Sequence, residues 1–133
     1  MSRENVEIVR ESTERFNRDG FLDEEFFHPE IELSNIAESP LPGPYRGYEG
    51  LRAWRDGIFD VTKEVRFEID HVVDVDEDDA VVYGMRLRGR ARHTGIEIDI
   101  GWTNVNWFKE GRIWRVKAYT DHAEALEAVG LRS

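Results

Sequence analysis

Apolar side chains recur at helical spacing near the start of the chain. Over residues 3–18, Val6, Val9, Thr13 and Phe16 fall on one face, with Ile8 and Ser12 on its flank. Asp19-Gly20 ends that helix. A short second helix is predicted from Leu22 to Phe27, stopped by His28-Pro29. Glu30 to Ile36 reads as a strand that places Ile31, Leu33 and Asn35 on one face. Residues 37–47 carry three of the four prolines and read as a loop of restricted backbone freedom. A third helix over residues 48–60 has a stripe of Leu51, Trp54, Ile58 and Val61.

After Lys63 the period changes from helical to alternating. Val65, Phe67, Ile69, His71, Val73 and Val75 take one register, and the acidic run Asp76 to Asp79 makes a turn. Val81 to Arg92 is the next strand; Met85, Leu87, Gly89 and Ala91 point one way and Arg86, Arg88, Arg90 and Arg92 the other. His93-Thr94-Gly95 turns the chain back. Ile96 to Phe108 and Arg112 to Thr120 form a hairpin around Lys109-Glu110-Gly111, and a helix over residues 121–129 closes the chain before Gly130. Helices and strands are segregated, which predicts an α+β fold with a mostly antiparallel sheet, in one domain over residues 1–133. Long strands covered by short helices must bend, and a bent sheet with helices inside its curve leaves a cavity.

One strand face carries the chemistry. Trp102, Asn104, Asn106 and Phe108 share it, and two amides among large aromatics are unusual for a plain core. Charge narrows the partners: 28 acids against 18 bases give a net charge of -10, which disfavours nucleic acid and anionic membrane surfaces. No apolar run is long enough to span a membrane, and the first residues lack a signal-peptide pattern. The chain has no cysteine, which excludes disulfides and thiolate chemistry and fits a cytoplasmic protein. His28, His71, His93 and His122 show no metal-ligand spacing, and the acidic run lacks the glycine and terminal glutamate of a calcium loop; no metal and no cofactor are expected. The four arginines face strands rich in Glu68, Asp70, Glu97 and Asp99, so cross-strand ion pairs are expected there rather than an anion site.

Several short motifs occur in a distinctive order: Phe16-Asn17-Arg18-Asp19-Gly20, Phe27-His28-Pro29-Glu30, Arg46-Gly47-Tyr48-Glu49-Gly50-Leu51 running into Trp54, then Phe108-Lys109-Glu110-Gly111-Arg112-Ile113, Tyr119-Thr120-Asp121 and Ala125-Leu126. In these the chain resembles the NTF2-like superfamily, and within it the SnoaL-like and ketosteroid-isomerase-like proteins. The resemblance implies a cone: a curved sheet wrapped around three to four helices with an internal pocket. It also implies a homodimer through the convex sheet face, with Trp107 and Trp114 on that side.

Ketosteroid isomerase uses an aspartate base and an oxyanion hole of a tyrosine and a protonated aspartate. The resemblance sets these at Asn35, near Ser12 and near Asn104. An amide cannot abstract a proton at neutral pH, so that reaction is not implied. SnoaL-type cyclases keep an aspartate near the end of the sheet, matched by Asp121. Asp121 also opens Asp121-His122-Ala123-Glu124, a capping box, and a capping carboxylate is a poor base. His93 is the other candidate for proton transfer. Asn35, Trp54, Trp102, Asn104 and Tyr119 are the candidate ligand contacts, the two amides being read either as buried groups satisfied by the protein or as contacts to a ligand carbonyl or hydroxyl. Three functions remain open: a cofactor-independent isomerase, cyclase or hydrolase acting on a small, largely apolar molecule, a non-catalytic binding module using the same pocket, and a dimerisation domain whose pocket is filled by its own aromatics.

Overall fold

The computed structural model describes residues 2–130, with side chains from Glu4; residues 1 and 131–133 of the expected single domain lie outside that description. The elements are α1 (Ser2–Asp19), a single turn of 3-10 helix (Glu24–Phe26), β1 (Phe27–Ser34), β2 (Tyr45–Arg46), α2 (Gly47–Val61), β3 (Thr62–Val75), β4 (Ala80–Ala91), β5 (Glu97–Lys109), β6 (Arg112–Tyr119) and α3 (His122–Ala128). The strands form one sheet in the order β2-β1-β6-β5-β4-β3. It is antiparallel throughout except where β1 runs parallel to β6.

Two apolar clusters occupy the two faces. Val81 and Tyr83 of β4 join Val9 of α1, Leu51 of α2, Ile31, Leu33, Phe108, Ile113 and Val116 on the concave side. Their neighbours Ala80 and Val82 alternate to the other side, where Val75 and Val105 pack with Ala125 and Val129 of the closing segment. Two of the three helices therefore lie inside the curve, and α3 covers one end of the convex face.

The second helix expected over Leu22–Phe27 is reduced to that single 3-10 turn, capped by Asp23, whose carboxylate accepts from the Glu25 N–H. Phe27 already pairs with Ile113, so His28-Pro29 lies within a strand rather than ending a helix. The register jumps between Phe27 and Glu32, and in that irregular stretch the N–H that Pro29 lacks is not needed by the ladder. The expected loop over 37–47 also contains β2, which pairs back on β1.

The alternation expected along β3 is broken twice. Register shifts fall between Lys63 and Arg66 and between Asp70 and Val73, each inserting one extra residue against β4. Glu64 and His71 take φ of 56° and 47° there. The second bulge reverses the faces: Val72 joins Ile69 on the concave side, while Val73 and Val75 pass to the cluster under α3. His71 is exposed instead of continuing an apolar register. Gly84, paired with Asp70 at the edge of this bulge, accommodates its close approach, because a Cβ there would collide with Asp70 Oδ1.

Three of the four arginines form ion pairs as expected, whereas Arg92, beyond the end of β4, donates to the carbonyls of Phe59 and Thr62 instead. Arg86 pairs with Asp99 and Arg88 with Glu68, while Arg90 reaches Glu64 in the first bulge at 3.1 Å. Val61, assigned to the buried stripe of α2, is exposed, because the helix passes directly into β3 and Thr62 takes the buried place.

Since the second bulge decides which valines join the concave core and which pack under α3, its backbone has a measurable energetic signature. His71→Val puts a β-branched side chain at positive φ and is expected to lower unfolding free energy by about 1–2 kcal/mol. His71→Gly is expected to stay near the parent. Urea melts read both; a His71→Val protein as stable as the parent would show that the bulge is not held in this conformation.

Candidate functional site

The concave side holds a cavity of about 70 Å³ that is partly open to solvent. This is space open to the centre of a water-sized sphere, of which one water needs about 10–15 Å³, so it has room for several waters or a small ligand. Its walls come from α1 (Val9, Ser12, Phe16), from α2 (Trp54) and from five strands, β1 and β3 to β6. Phe16, Trp54, Phe67 and Trp102 form a continuous ring cluster on one side, with centroids 5.2–6.3 Å apart. These contacts are edge-on or offset, the arrangements that aromatic quadrupoles favour.

The polar groups of the cavity are built by strand register. Tyr83 stands directly opposite Asn104, and Asn106 lies one pleat further along the same face. Tyr83 donates its hydroxyl proton to Asn106 Oδ1 at 3.0 Å and accepts from Asn104 Nδ2 at 3.3 Å. Trp102 Nε1 donates to Asn104 Oδ1 at 2.8 Å. All three of Tyr83, Asn104 and Asn106 are at most 7% exposed. Further out, Trp54 Nε1 donates to Asn35 Oδ1 at 2.9 Å. Asn35 itself sits just beyond β1 and holds the following loop, donating from Nδ2 to Leu41 O and from its backbone N–H to Pro42 O.

Among the described residues, Tyr83 is the one titratable side chain lining the cavity. Burial pushes its phenol up to about 12, outweighing the opposite effect of its hydrogen bonds to Asn104 and Asn106. It is protonated at neutral pH and works as a hydrogen-bond donor, not as a base.

The candidate residues divide cleanly. The cavity brings together Asn35, Trp54, Trp102 and Asn104, and with them Ser12. It leaves out Asp121, His93 and Tyr119. Asp121 is the N-cap of α3: Oδ1 accepts from the Ala123 N–H at 2.9 Å, and the side chain is exposed. His93 does not continue the β4 register into the cavity, because β4 ends at Ala91 and His93 sits exposed in the turn that follows. Tyr119 pairs with Thr103, which alternates away from Trp102 and Asn104, and its ring packs in the cluster under α3. Two more residues enter the site: Tyr83, which no motif in the sequence singles out, and Asn106, which the alternation places on the pocket face without a specific ligand contact. Both carried a signal: Tyr83 keeps the odd register of Met85, and Asn106 shares the face of Trp102 and Asn104.

A wide groove on the convex side gathers charged and ionisable groups instead, among them Asp70, His71, Arg86 and His122, with His122 Nδ1 3.2 Å from Thr103 Oγ1. It is open to solvent. Among the described residues no group of three potential ligands is placed to hold a metal ion, and no helix is long and apolar enough to cross a membrane.

The model of the SnoaL-like domain matches residues 9–116. The chain belongs to this SnoaL-like family. Its fold is shared by solved structures of low sequence identity. Bal32a, from a soil-derived mobile gene cassette, superposes with a TM-score of 0.77 at 24% identity, over 88% of each chain. An NTF2-like protein of unknown function from Burkholderia pseudomallei K96243 gives 0.75 at 21%, over 96% of this chain and 98% of that one. TerC, co-crystallised with polyporic acid, gives 0.74 at 18%, over 95% and 98%. No curated protein matches the chain significantly. Asn35, Ser12 and Asn104, at or near the positions that the resemblance sets against the isomerase's base, tyrosine and second acid, all line this cavity. None of the three is a carboxylate.

The Tyr83 phenol also makes stability depend on pH. Its folded value lies above the ordinary 10.0, so the folded state holds the proton more tightly than the unfolded chain. That contribution is complete below about pH 10 and is lost as pH rises through about 12, amounting to about 2 kcal/mol. Denaturant melts at about pH 9 and pH 12 are expected to show the parent losing that much more stability than Tyr83→Phe. Equal losses in the two proteins would contradict the burial argument.

Proposed function

We propose that this SnoaL-like protein binds a small, neutral, largely apolar molecule in its cavity without carrying out proton transfer on it. The observation that carries this reading is the composition of the lining. Amides, hydroxyls and indoles supply the polarity, apolar and aromatic side chains supply the rest, and the single titratable group is a phenol held protonated. Isomerisation and aldol-type cyclisation need a base whose pKa lies near working pH, within hydrogen-bond reach of the carbon acid. The two candidates for that part, Asp121 and His93, stand outside the cavity, one engaged as a helix cap and the other in an exposed turn.

The pocket keeps what binding requires. A ring wall offers apolar contact, and amides fixed by their neighbours offer orientation without the entropic cost of ordering loose side chains. The cavity's small volume favours compact ligands or the polar head of a longer one.

The test is titration of isotopically labelled protein with cyclopentanone in deuterated water. The indole N–H of Trp102 and the side-chain amides of Asn104 and Asn106 are expected to shift with saturation, while exchange of the ketone's α-protons runs at the buffer rate. Exchange accelerated by the protein, and abolished by Asn104→Leu, would replace binding with catalysis. Shifts confined to the convex groove would remove the cavity from the account.

A further inference from the structure

The hairpin of β4 and β5 outruns the rest of the sheet. β4 pairs with β5 from Glu97 to Trp107, whereas β6 pairs with β5 only from Thr103 to Lys109. β6 ends at Tyr119, where the chain turns away into α3. Residues 97–102 of β5 therefore have a strand on one side only, which leaves about 20 Å of open sheet edge. Backbone alternation tells which groups are unpaired there. The Ala91 N–H donates to Ile96 O at 2.8 Å, so the even-numbered residues of β5 turn their N–H and C=O toward β4. Odd-numbered residues turn theirs the other way. Thr103 meets β6, while Glu97, Asp99 and Gly101 are exposed and find no backbone partner among the described residues.

The side chains along this edge suit an added strand. Ile96, Ile98 and Ile100 continue the face of Trp102, and Ile96 is 66% and Ile100 50% exposed, although isoleucine is among the most buried residue types. Glu97 and Asp99 alternate with them on the other face. Arg86 neutralises Asp99. Arg90 stands across the ladder from Glu97 but is already engaged by Glu64 and by the Gly95 carbonyl, and Arg88 is engaged by Glu68. Glu97 is thus left without an ion pair among the described residues.

We propose that this edge of β5 is a docking surface for an extended segment of another protein, one that alternates apolar residues with lysine or arginine and adds to the sheet in line with β6, antiparallel to β5. The backbone groups of Glu97, Asp99 and Gly101 would bond the incoming strand, as a neighbouring strand does elsewhere in the sheet. Its apolar side chains would cover Ile98 and Ile100, and its cations would stand opposite Glu97 and Asp99. Charge decides against a second copy of the chain as the occupant. Antiparallel self-pairing centred on Ile98 or Asp99 sets acid directly against acid, which cross-strand pairing penalises. The net charge of -10 adds a longer-range attraction for a basic segment.

Amide hydrogen exchange of the full chain, read by NMR, tests this with a blocked heptapeptide of alternating lysine and valine and its glutamate–valine counterpart. With the lysine peptide in excess, the amides of Glu97, Asp99 and Gly101 are expected to slow by about tenfold or more, while those of Ile98 and Ile100, already held by β4, stay as they were. The glutamate peptide is expected to slow none of them. Gly101→Pro removes one edge donor and leaves the β4 ladder whole, since a Cβ there meets nothing closer than 3.4 Å. It is expected to weaken the lysine peptide at least about fivefold. Glu97→Lys, at an exposed position that leaves the backbone unchanged, is expected to weaken it by a similar factor. A lysine peptide that leaves the three amides unslowed overturns the proposal, and so does a glutamate peptide that slows them equally. Slow exchange of the same amides in the protein alone, deepening with protein concentration, would assign the edge to a second copy and overturn it as well.

Discussion

The hydroxyl of Tyr83, buried between two asparagines in the middle of the sheet, is the constraint on which the site depends. An apolar core has no solvent to satisfy a phenol or an amide, and one left unpaired costs about 1–3 kcal/mol. The β4–β5 register meets that requirement by placing Tyr83 opposite Asn104 and one pleat from Asn106. A slip of one residue would carry these polar groups to the convex side and leave valines facing the cavity. Burial of the network also keeps the phenol protonated, which turns the one ionisable group of the cavity into a fixed donor.

The surrounding architecture serves the same arrangement. Bulges on β3 allow the long strand to bend around α1 and α2 and hand its last two valines to α3. The side chain of Asn17 acts as a short strand against β3, accepting from the Phe67 N–H and donating to the Phe67 carbonyl, each at 2.8 Å. This anchors α1 beside the ring cluster, where Phe16 meets both Trp54 and Phe67. The rings in turn hold the two indoles whose N–H groups orient Asn35 and Asn104. Packing, backbone irregularity and hydrogen bonding thus converge on the direction in which a few amides point.

Much of the fold was legible because periodicity is a local property. The stripe of α1, the acidic turn before β4, the split of β4 into an arginine face and an apolar face, and the Trp102–Asn104–Asn106 face of β5 all follow from spacing alone. The bulges were only faintly legible: His71 and Val72 break the alternation of Val65 to Val75, but the extra residues at Glu64 and His71 are fixed by pairing with β4. The site was partly legible for the same reason. Strand alternation and the family resemblance pointed to Asn35, Trp54, Trp102 and Asn104, but a hydrogen-bond partner on another strand, such as Tyr83, appears only once register is known. Asp121 shows the opposite case: the capping box in its sequence described its bonding correctly, and the resemblance that made it an acid-base candidate did not carry that role into the cavity.

The orientation of the amides is the claim on which the proposed binding site turns, and neutron diffraction from perdeuterated crystals sees it without inference. The account predicts a deuteron from Tyr83 directed at Asn106 Oδ1, deuterons from Trp54 and Trp102 directed at Asn35 Oδ1 and Asn104 Oδ1, and the Asn106 ND₂ group facing the cavity. An Asn104 or Asn106 side chain found reversed, with its oxygen toward the cavity and its nitrogen toward the ring donor, would contradict it.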